Sequence, residues 1–361
     1  MKYYSFKDNL ELNIYGESHS KSIGVKIKGL PLLFKIDEKK LKEFLKRRAP
    51  SAKNGSTSRI EPDEYIFVEG VEEGVIVGNS VTAEIPNVNA VSKDYSELKY
   101  IPRPGHADMA AYMKYGIDFD MTGGGAFSGR MTAPLCVAGG IIAQILAENG
   151  INISAHLYSV GSVLDKAFDS VHPQSVKNAD GLSLIDETVA EKILHEINSA
   201  RAKGDSIGGI VEGAVIGVPK GLGGPLFEGL ESIISFLVFA IPGVKGVEFG
   251  SGFDSASLWG IQNNDFYEYK NGILDMPTNN CGGVLGGISL GTPIIFRAAF
   301  KPTPSISALQ RTVNVKTKEN VEISVKGRHD ACIAVRAVPV AEAAAAIAVY
   351  DKLLGEKNGI E

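Results

Sequence analysis

Apolar and polar positions alternate along this chain in patterns that predict both helices and strands. In IDEKKLKEFLKRR, Leu41, Phe44, Leu45 and Arg48 share one face and lysines the other, with Asp37 placed as N-cap, so an amphipathic helix is expected. APLCVAGGIIAQILAENG is apolar almost throughout and predicts a largely buried helix stopped by Gly150. DETVAEKILHEINSARAKG predicts an exposed helix with Val189, Ile193 and Ile197 inward and Gly204 at its end, and VAEAAAAIAVYDKLLG a final helix of similar kind. The runs IGVKIKGL, GIVEGAVIGV and TPIIFRAAF predict strands.

Two of these stretches echo one another. GESHSKSIGVKIKGLP and GDSIGGIVEGAVIGVP share their glycine spacing, and each leads into a helix and then a proline, Pro50 or Pro242. GVEEGVIVG and GVLGGISLG form a second pair, set further apart than the first, so the second copy needs an insertion. GFDSASLWGIQNNDFYEYKNGILDMPTNN is long enough to hold it. The expectation is one domain over residues 1–361, built from a duplicated strand, strand, helix unit with halves near 1–150 and 200–355. Ile207 then stands where the first copy has His19, so chemistry at that position belongs to one half only.

Composition narrows the function. At 361 residues the chain exceeds the roughly 250–300 at which single cores stop growing, so two packed halves or a large layered domain is expected. A formal charge of −5 argues against holding nucleic acid on a broad basic surface, so any bound anion is small and met locally. The 41 glycines exceed ordinary usage and point to tight turns or backbone contacts with a ligand. Cys136, Cys281 and Cys332 are widely spaced and form no CxxC pair, which suggests neither a disulfide framework nor a zinc site. The longest apolar run, near IISFLVFAIPGV, is shorter than the ~20 residues a spanning helix needs and is broken by Pro242. Charges stand where a signal peptide would carry its apolar core. The expectation is a cytoplasmic protein with no membrane partner and no bound metal.

Several clusters carry candidate chemistry. GESHS sets His19 between hydroxyls that can orient it, and an imidazole exchanges protons near neutral pH. RPGHAD adds His106 after a turn, with Arg103 before it and Asp108 after. GRHDACIAVRAVP supplies Arg328, His329, Asp330 and Arg336. TGGGAFSGRMTAPL offers a glycine loop feeding a helix, suited to exposing amides to a phosphate, yet it matches neither a Walker loop nor a dinucleotide fingerprint. KPTPSIS presents Lys301, Thr303 and Ser305 on an extended segment held by Pro302 and Pro304. Arg47, Arg48 and Arg59 can grip a phosphate or carboxylate. His156, His172 and His195 lack such company and are read as structural.

Taken in order, GESHS, RRAP, RPGHAD, GGGAFSGRMTA, GDSIGG, GVKGVEFGSGF, NNCGGVLGGIS, KPTPSIS and GRHDACIAVRAVPVAEA resemble the chorismate synthase family, over residues 5 to 354. The resemblance implies an α+β fold, a β-α-β sandwich with an internal pseudo-twofold repeat, and a homotetramer. It implies the 1,4-anti elimination of phosphate from 5-enolpyruvylshikimate 3-phosphate to chorismate, with reduced FMN required and NADPH only as a reductant. No reductase domain is visible, so an external flavin reductant is expected.

Carried over residue by residue, the resemblance implies catalytic roles for His19 and Ser18 at the leaving phosphate, His106 at the reduced flavin, Asp330 in proton relay, and Ser128. Flavin contacts fall on Ala126, Phe127, Ser128, Pro242, Gly243, Gly286, Lys301, Pro302, Thr303, Pro304, Ser305 and Arg328. Arg48, Arg59, Arg130 and Arg336 are expected to bind the anionic substrate. Ser20, Asn54 and Ala126-Phe127 depart from the family pattern of glycine, arginine and Arg-Ser. These changes remove two anion contacts and argue against an NADPH contact at Asn54. A Ser-His hydrolase using Ser128 or Ser18 would lack a G-x-S-x-G elbow around either serine. A flavin- or anion-binding protein without turnover is the non-enzyme alternative, against which stand His19, His106 and Asp330.

Overall fold

The structure, a computed structural model, describes residues 3–51, 54–57, 63–87, 99–325, 327 and 329–358. Strands β1 (Tyr3–Lys7), β2 (Glu11–Tyr15), β3 (Ser22–Lys28), β4 (Ile66–Glu69) and β5 (Ser80–Pro86) form an antiparallel sheet in the order β1-β2-β3-β5-β4. Its register sets Ile23 opposite Ile85, Val25 opposite Ala83 and Ile27 opposite Val81, all buried on one face. The other face carries charge, where Lys26 meets Glu69 and Lys28 meets Glu11, as period-two alternation requires.

The expected amphipathic helix is α1 (Glu38–Arg48), capped by Asp37, whose carboxylate accepts from Lys40 N at 3.0 Å. Leu41, Leu45 and Arg48 are its buried residues. A short helix, α2 (Asp108–Tyr115), precedes the predicted buried helix α3 (Thr132–Glu148), which ends at Asn149 with Gly150 at φ +76°. The exposed helix is α4 (Ala190–Ala202), with Ile193 and Ile197 fully buried.

The second sheet comprises β6 (Asn152–Val160), β7 (Val163–Leu164), β8 (Gly209–Ile216), β9 (Val244–Phe249) and β10 (Ile294–Phe300), in the order β9-β10-β8-β6-β7. Between β8 and β9 lies α5 (Leu230–Phe239), and α6 (Ala334–Asn358) closes the chain. Each half therefore runs strand, strand, helix, edge strand, strand, helix: β2, β3, α1, β4, β5, α3 and then β6, β8, α5, β9, β10, α6. The Gly204 stretch leads into β8, which follows β6 (Asn152–Val160) in the chain. The glycine pair also matches. Val71–Glu72 and Val284–Leu285 each fold back as a two-residue hairpin, with Glu73-Gly74 and Gly286-Gly287 at positive φ, the primed turn that hairpin twist favours. Even the isolated bridges correspond, Lys35 to Val75 and Gly223 to Ile288.

The four helices α1, α3, α5 and α6 fill the space between the sheets, giving an α+β sandwich. The final helix departs from expectation: it is buried on every side from Ala337 to Tyr350, because its alanines let other helices approach closely. A methyl on Gly139 of α3 would lie 2.3 Å from Cβ of Ala343, so that crossing needs glycine. Among the described residues one helical stretch, Gly129–Glu148, is long and apolar enough to cross a membrane, longer than the Pro242 run, and it is packed into this core.

Candidate active site

A cavity of about 500 Å³, a size suited to a small ligand, opens where the helical layer meets the loops of the first half. Into it converge Ser18, Arg48, His106, Ala126, Phe127, Ser128, Arg130, Pro242, Gly243, Asp330, Arg336 and the whole of Lys301–Ser305. Residues from positions 18 to 340 meet there, so the site exists only in the folded chain. Of the expected residues that the structure describes, two, Gly286 and His19, are not on its wall. Gly286 sits at the exposed tip of its hairpin, where a positive φ accounts for the glycine. Arg59 and Arg328 lie outside the described residues. His19 is set back behind Gly123, which does line the cavity.

The arginines are held by carboxylates. Arg48, at the C-terminal end of α1 and 2% exposed, donates to Thr132 Oγ1 at 3.0 Å and to the Gly129 carbonyl at 3.2 Å. Its guanidinium also pairs with Asp63, whose second oxygen pairs with Arg130. Burial would raise the Asp63 carboxyl, but the charges of Arg48, Arg130 and Arg336 hold it below the usual carboxylate range. Arg336 donates to Asp330 at 2.8 Å and to the Arg48 carbonyl at 2.9 Å, while Thr57 N donates to the other Asp330 oxygen at 2.8 Å. Asp63 and Thr57 were missed in the sequence. A lone aspartate in EPDEY announces nothing until the fold carries it to two arginines.

His106 stands beside the buried Arg103–Asp108 pair. Arg103 donates through Nε at 2.7 Å and Nη2 at 2.8 Å to the two Asp108 oxygens, and His106 Nδ1 lies 2.6 Å from Oδ1. Burial alone would raise the Asp108 carboxyl; hydrogen bonds from Arg103 and His106 bring it well below its ordinary value.

The glycine loop has a role other than the expected phosphate cradle. Gly123, Gly124 and Gly125 all take positive φ, 62°, 89° and 51°. A methyl on Gly123 would collide with the His19 ring, and one on Gly124 would press on His106. The loop passes between the two imidazoles, and only glycine lets it pass. Ser128 then caps the short turn Gly129–Met131 that leads into α3, accepting from Arg130 N at 3.3 Å.

Across the cavity, Phe239–Lys245 with Phe300, Ile333 and Val340 make a mostly apolar wall. Lys245 and Lys301 stand on that side, and among the described residues neither has an ion-pair partner. Burial, then the charge of Lys245, pushes the Lys301 ammonium below its ordinary range. Apolar side chains together with Lys245 and Lys301 are lining residues that could hold an aromatic cofactor with a phosphate group. Lys245 and His329, both on the wall, were not singled out as site residues, although each sits in a motif that was noted.

The departures are accommodated locally. Ser20 Oγ donates to the Ser22 carbonyl at 2.6 Å and accepts from Glu17 N at 2.9 Å, closing the turn that holds His19. Asn54 is buried, away from the cavity wall, and accepts from Ser56 N at 3.2 Å. His156 is a core residue, 2.9 Å from both Asp165 and Glu212. The thiols of Cys136, Cys281 and Cys332 are pushed up, by burial first, to about 12, 11 and 11, so none is a ready nucleophile at neutral pH.

An α+β sandwich whose cleft gathers arginines paired with carboxylates and the His106 imidazole has the make-up of an enzyme. Comparison with known proteins gives the family. The family model described as chorismate synthase matches residues 10–354, and the chain belongs to the chorismate synthase family. It is 43% identical to the chorismate synthase of Lancefieldella parvula, over 98% of both chains. It is 42% identical to that of Thermococcus gammatolerans, over 96% of this chain and 97% of the relative. A crystal structure of chorismate synthase superposes with a TM-score of 0.74 at 25% identity, covering 96% of this chain and 92% of that one.

Proposed function

We propose that this chain is a carbon–oxygen lyase that removes phosphate and a ring hydrogen from 5-enolpyruvylshikimate 3-phosphate by 1,4-anti elimination, giving chorismate in the last step of the shikimate pathway. The observation that carries this is the charge pattern of the cleft. Arg48, Arg103, Arg130 and Arg336 are set against Asp63, Asp108 and Asp330, which leaves a net positive wall for a phosphate and two carboxylates.

Reduced FMN, when bound against the Phe239–Lys245 wall, supplies the electron density that weakens the bond to phosphate. Ala126, Phe127, Ser128, Pro242, Gly243 and Lys301–Ser305 would hold it, and Lys301 and Lys245 would supply positive charge for an anionic group. Arg48, Arg130 and Arg336 bind the substrate. His19 delivers a proton to the departing phosphate past Gly123, which has no side chain to block the way, and Ser18 orients the anion. His106 holds a proton on the flavin side, and Asp330, held in place by Arg336 and Thr57, receives the ring proton. Gly286, Arg59 and Arg328 keep the roles the family resemblance implies for them.

The enzyme works in the cytoplasm as a homotetramer, with NADPH acting only as a reductant and reduction supplied from outside. Support for assembly comes from the insertion in the second half, where Phe253, Trp259, Ile261, Tyr269 and Ile273 are largely exposed on one segment.

The test is anaerobic phosphate release from 5-enolpyruvylshikimate 3-phosphate, with chemically reduced FMN and then with oxidised FMN plus NADPH. Release with reduced FMN alone is expected. Release in both would make the chain its own reductase, and release in neither, from folded protein that binds FMN, would leave a binding protein.

A further inference from the structure

We infer that Asp108 is a positioning residue that fixes the tautomer of His106, and that Gly124 keeps the remaining nitrogen of that ring open to the cavity. Asp108 opens α2, is 4% exposed and does not itself line the cavity, so it acts only through its neighbours. Its Oδ2 accepts from Arg103 Nε at 2.7 Å and from Arg103 N at 3.0 Å; its Oδ1 accepts from Arg103 Nη2 at 2.8 Å. A guanidinium is always charged and only donates, so this carboxylate stays ionised.

His106 Nδ1 lies 2.6 Å from Oδ1. Two facing lone pairs would repel at that separation, so the proton sits on Nδ1. Arg103 Nη2, which carries two hydrogens, gives one to Oδ1 at 2.8 Å and is also 3.2 Å from Nδ1, but the 2.6 Å contact with the charged Oδ1 is the shorter and decides where the ring proton sits. In the neutral ring the lone pair therefore belongs to Nε2. That edge faces Gly124: a methyl there would lie 3.3 Å from Nε2 and 3.2 Å from Cε1, and the backbone at φ +89° already requires glycine. Ser128 is the next nearest side chain to the same spot, at 3.6 Å.

The charged and titratable groups around the ring are few. Arg103 and Asp108 come from its own turn, and Tyr112, bonded to the Lys99 carbonyl, from the next turn of α2. Lys301 comes from the facing segment, tied to the Gly105 carbonyl, and His329 shares the cavity. Arg103 Nη1 also reaches Ser305 Oγ at 3.4 Å, so the device is anchored to the segment assigned to the flavin. A fixed carboxylate at Nδ1 orients the imidazole and selects one tautomer.

This inference rests on the proposed elimination only for its kinetic arm. The full chain with nitrogen-15 labelled histidine, His106 being assigned by His106→Gln, reads the tautomer by NMR without substrate. A neutral ring protonated at Nδ1 is expected, with the Nε2-protonated form gaining population in Asp108→Asn and not in Asp108→Glu. In phosphate release, Asp108→Asn should lower kcat by about 10²-fold with KM changed less than about threefold, and add nothing in a His106→Gln background. A ring protonated at Nε2 overturns the assignment, as does a loss of rate equally large without His106. Should Asp108→Asn not fold, the tautomer in the unmutated chain decides; should the chain release no phosphate, the tautomers of the unmutated chain and Asp108→Asn decide.

Discussion

A methyl group on Gly123 would lie 1.8 Å from Cε1 of His19 and 2.2 Å from its Nδ1, in backbone already at φ +62°. Gly123→Ala must move either the loop or the imidazole, on top of roughly 1–2 kcal/mol for a left-handed alanine. We expect its phosphate release to fall by about 10²- to 10⁴-fold, the same range as His19→Ala, because both remove one general acid. FMN affinity, followed by fluorescence titration, should stay within about threefold in both. A near-wild-type rate in His19→Ala would take that imidazole out of the chemistry.

Arg48→Ala is expected to do two things at once. The side chain is buried, bonded to Thr132 and Gly129, and it neutralises half of Asp63. Removing it should cost about 3–5 kcal/mol, as for a broken buried pair, and weaken substrate binding. Thermal unfolding and equilibrium binding of the phosphorylated substrate separate the effects. A loss of stability with unchanged affinity would make Arg48 a structural clamp for Asp63 alone.

His156 should make stability fall at alkaline pH. Burial lowers its basicity, but hydrogen bonds to Asp165 and Glu212 outweigh that and raise its pKa above the usual value. A raised folded pKa gives stability that is complete below the unfolded value of about 6.5 and is lost as pH climbs through the folded one. Asp165 and Glu212 are shifted down and lose their share as pH falls through their own folded values. Tm measured across pH should therefore decline above about 6.5 in the unmutated chain, and more steeply than in His156→Gln. Parallel profiles would show that the ring is neutral in the core.

The apolar insertion gives the assembly a test. Trp259 and Ile261 are 78% and 90% exposed, an orientation that water disfavours for a monomer. Trp259→Glu combined with Ile261→Glu should lower the mass measured by light scattering below that of a tetramer. An unchanged mass with intact folding would place the contact elsewhere.

Local rules made much of the fold legible. Asp37 at an N-cap, the lysine-free stripe of Leu41 and Leu45, Gly150 past a helix end and the paired glycine hairpins depend on bonds between residues a few positions apart, so the sequence determines them alone. The ordered motifs likewise pointed to the family, since each keeps its own short spacing. The pairings that make a site run between distant segments: Asp63 with Arg48 and Arg130, Thr57 with Asp330, Gly123 against His19. No periodicity encodes them, because they form only when two sheets close on a shared helical layer. The same packing decided that the final helix, expected to resemble the exposed α4, lies at the centre: burial is a property of what surrounds a residue, and only the tertiary structure supplies the surroundings.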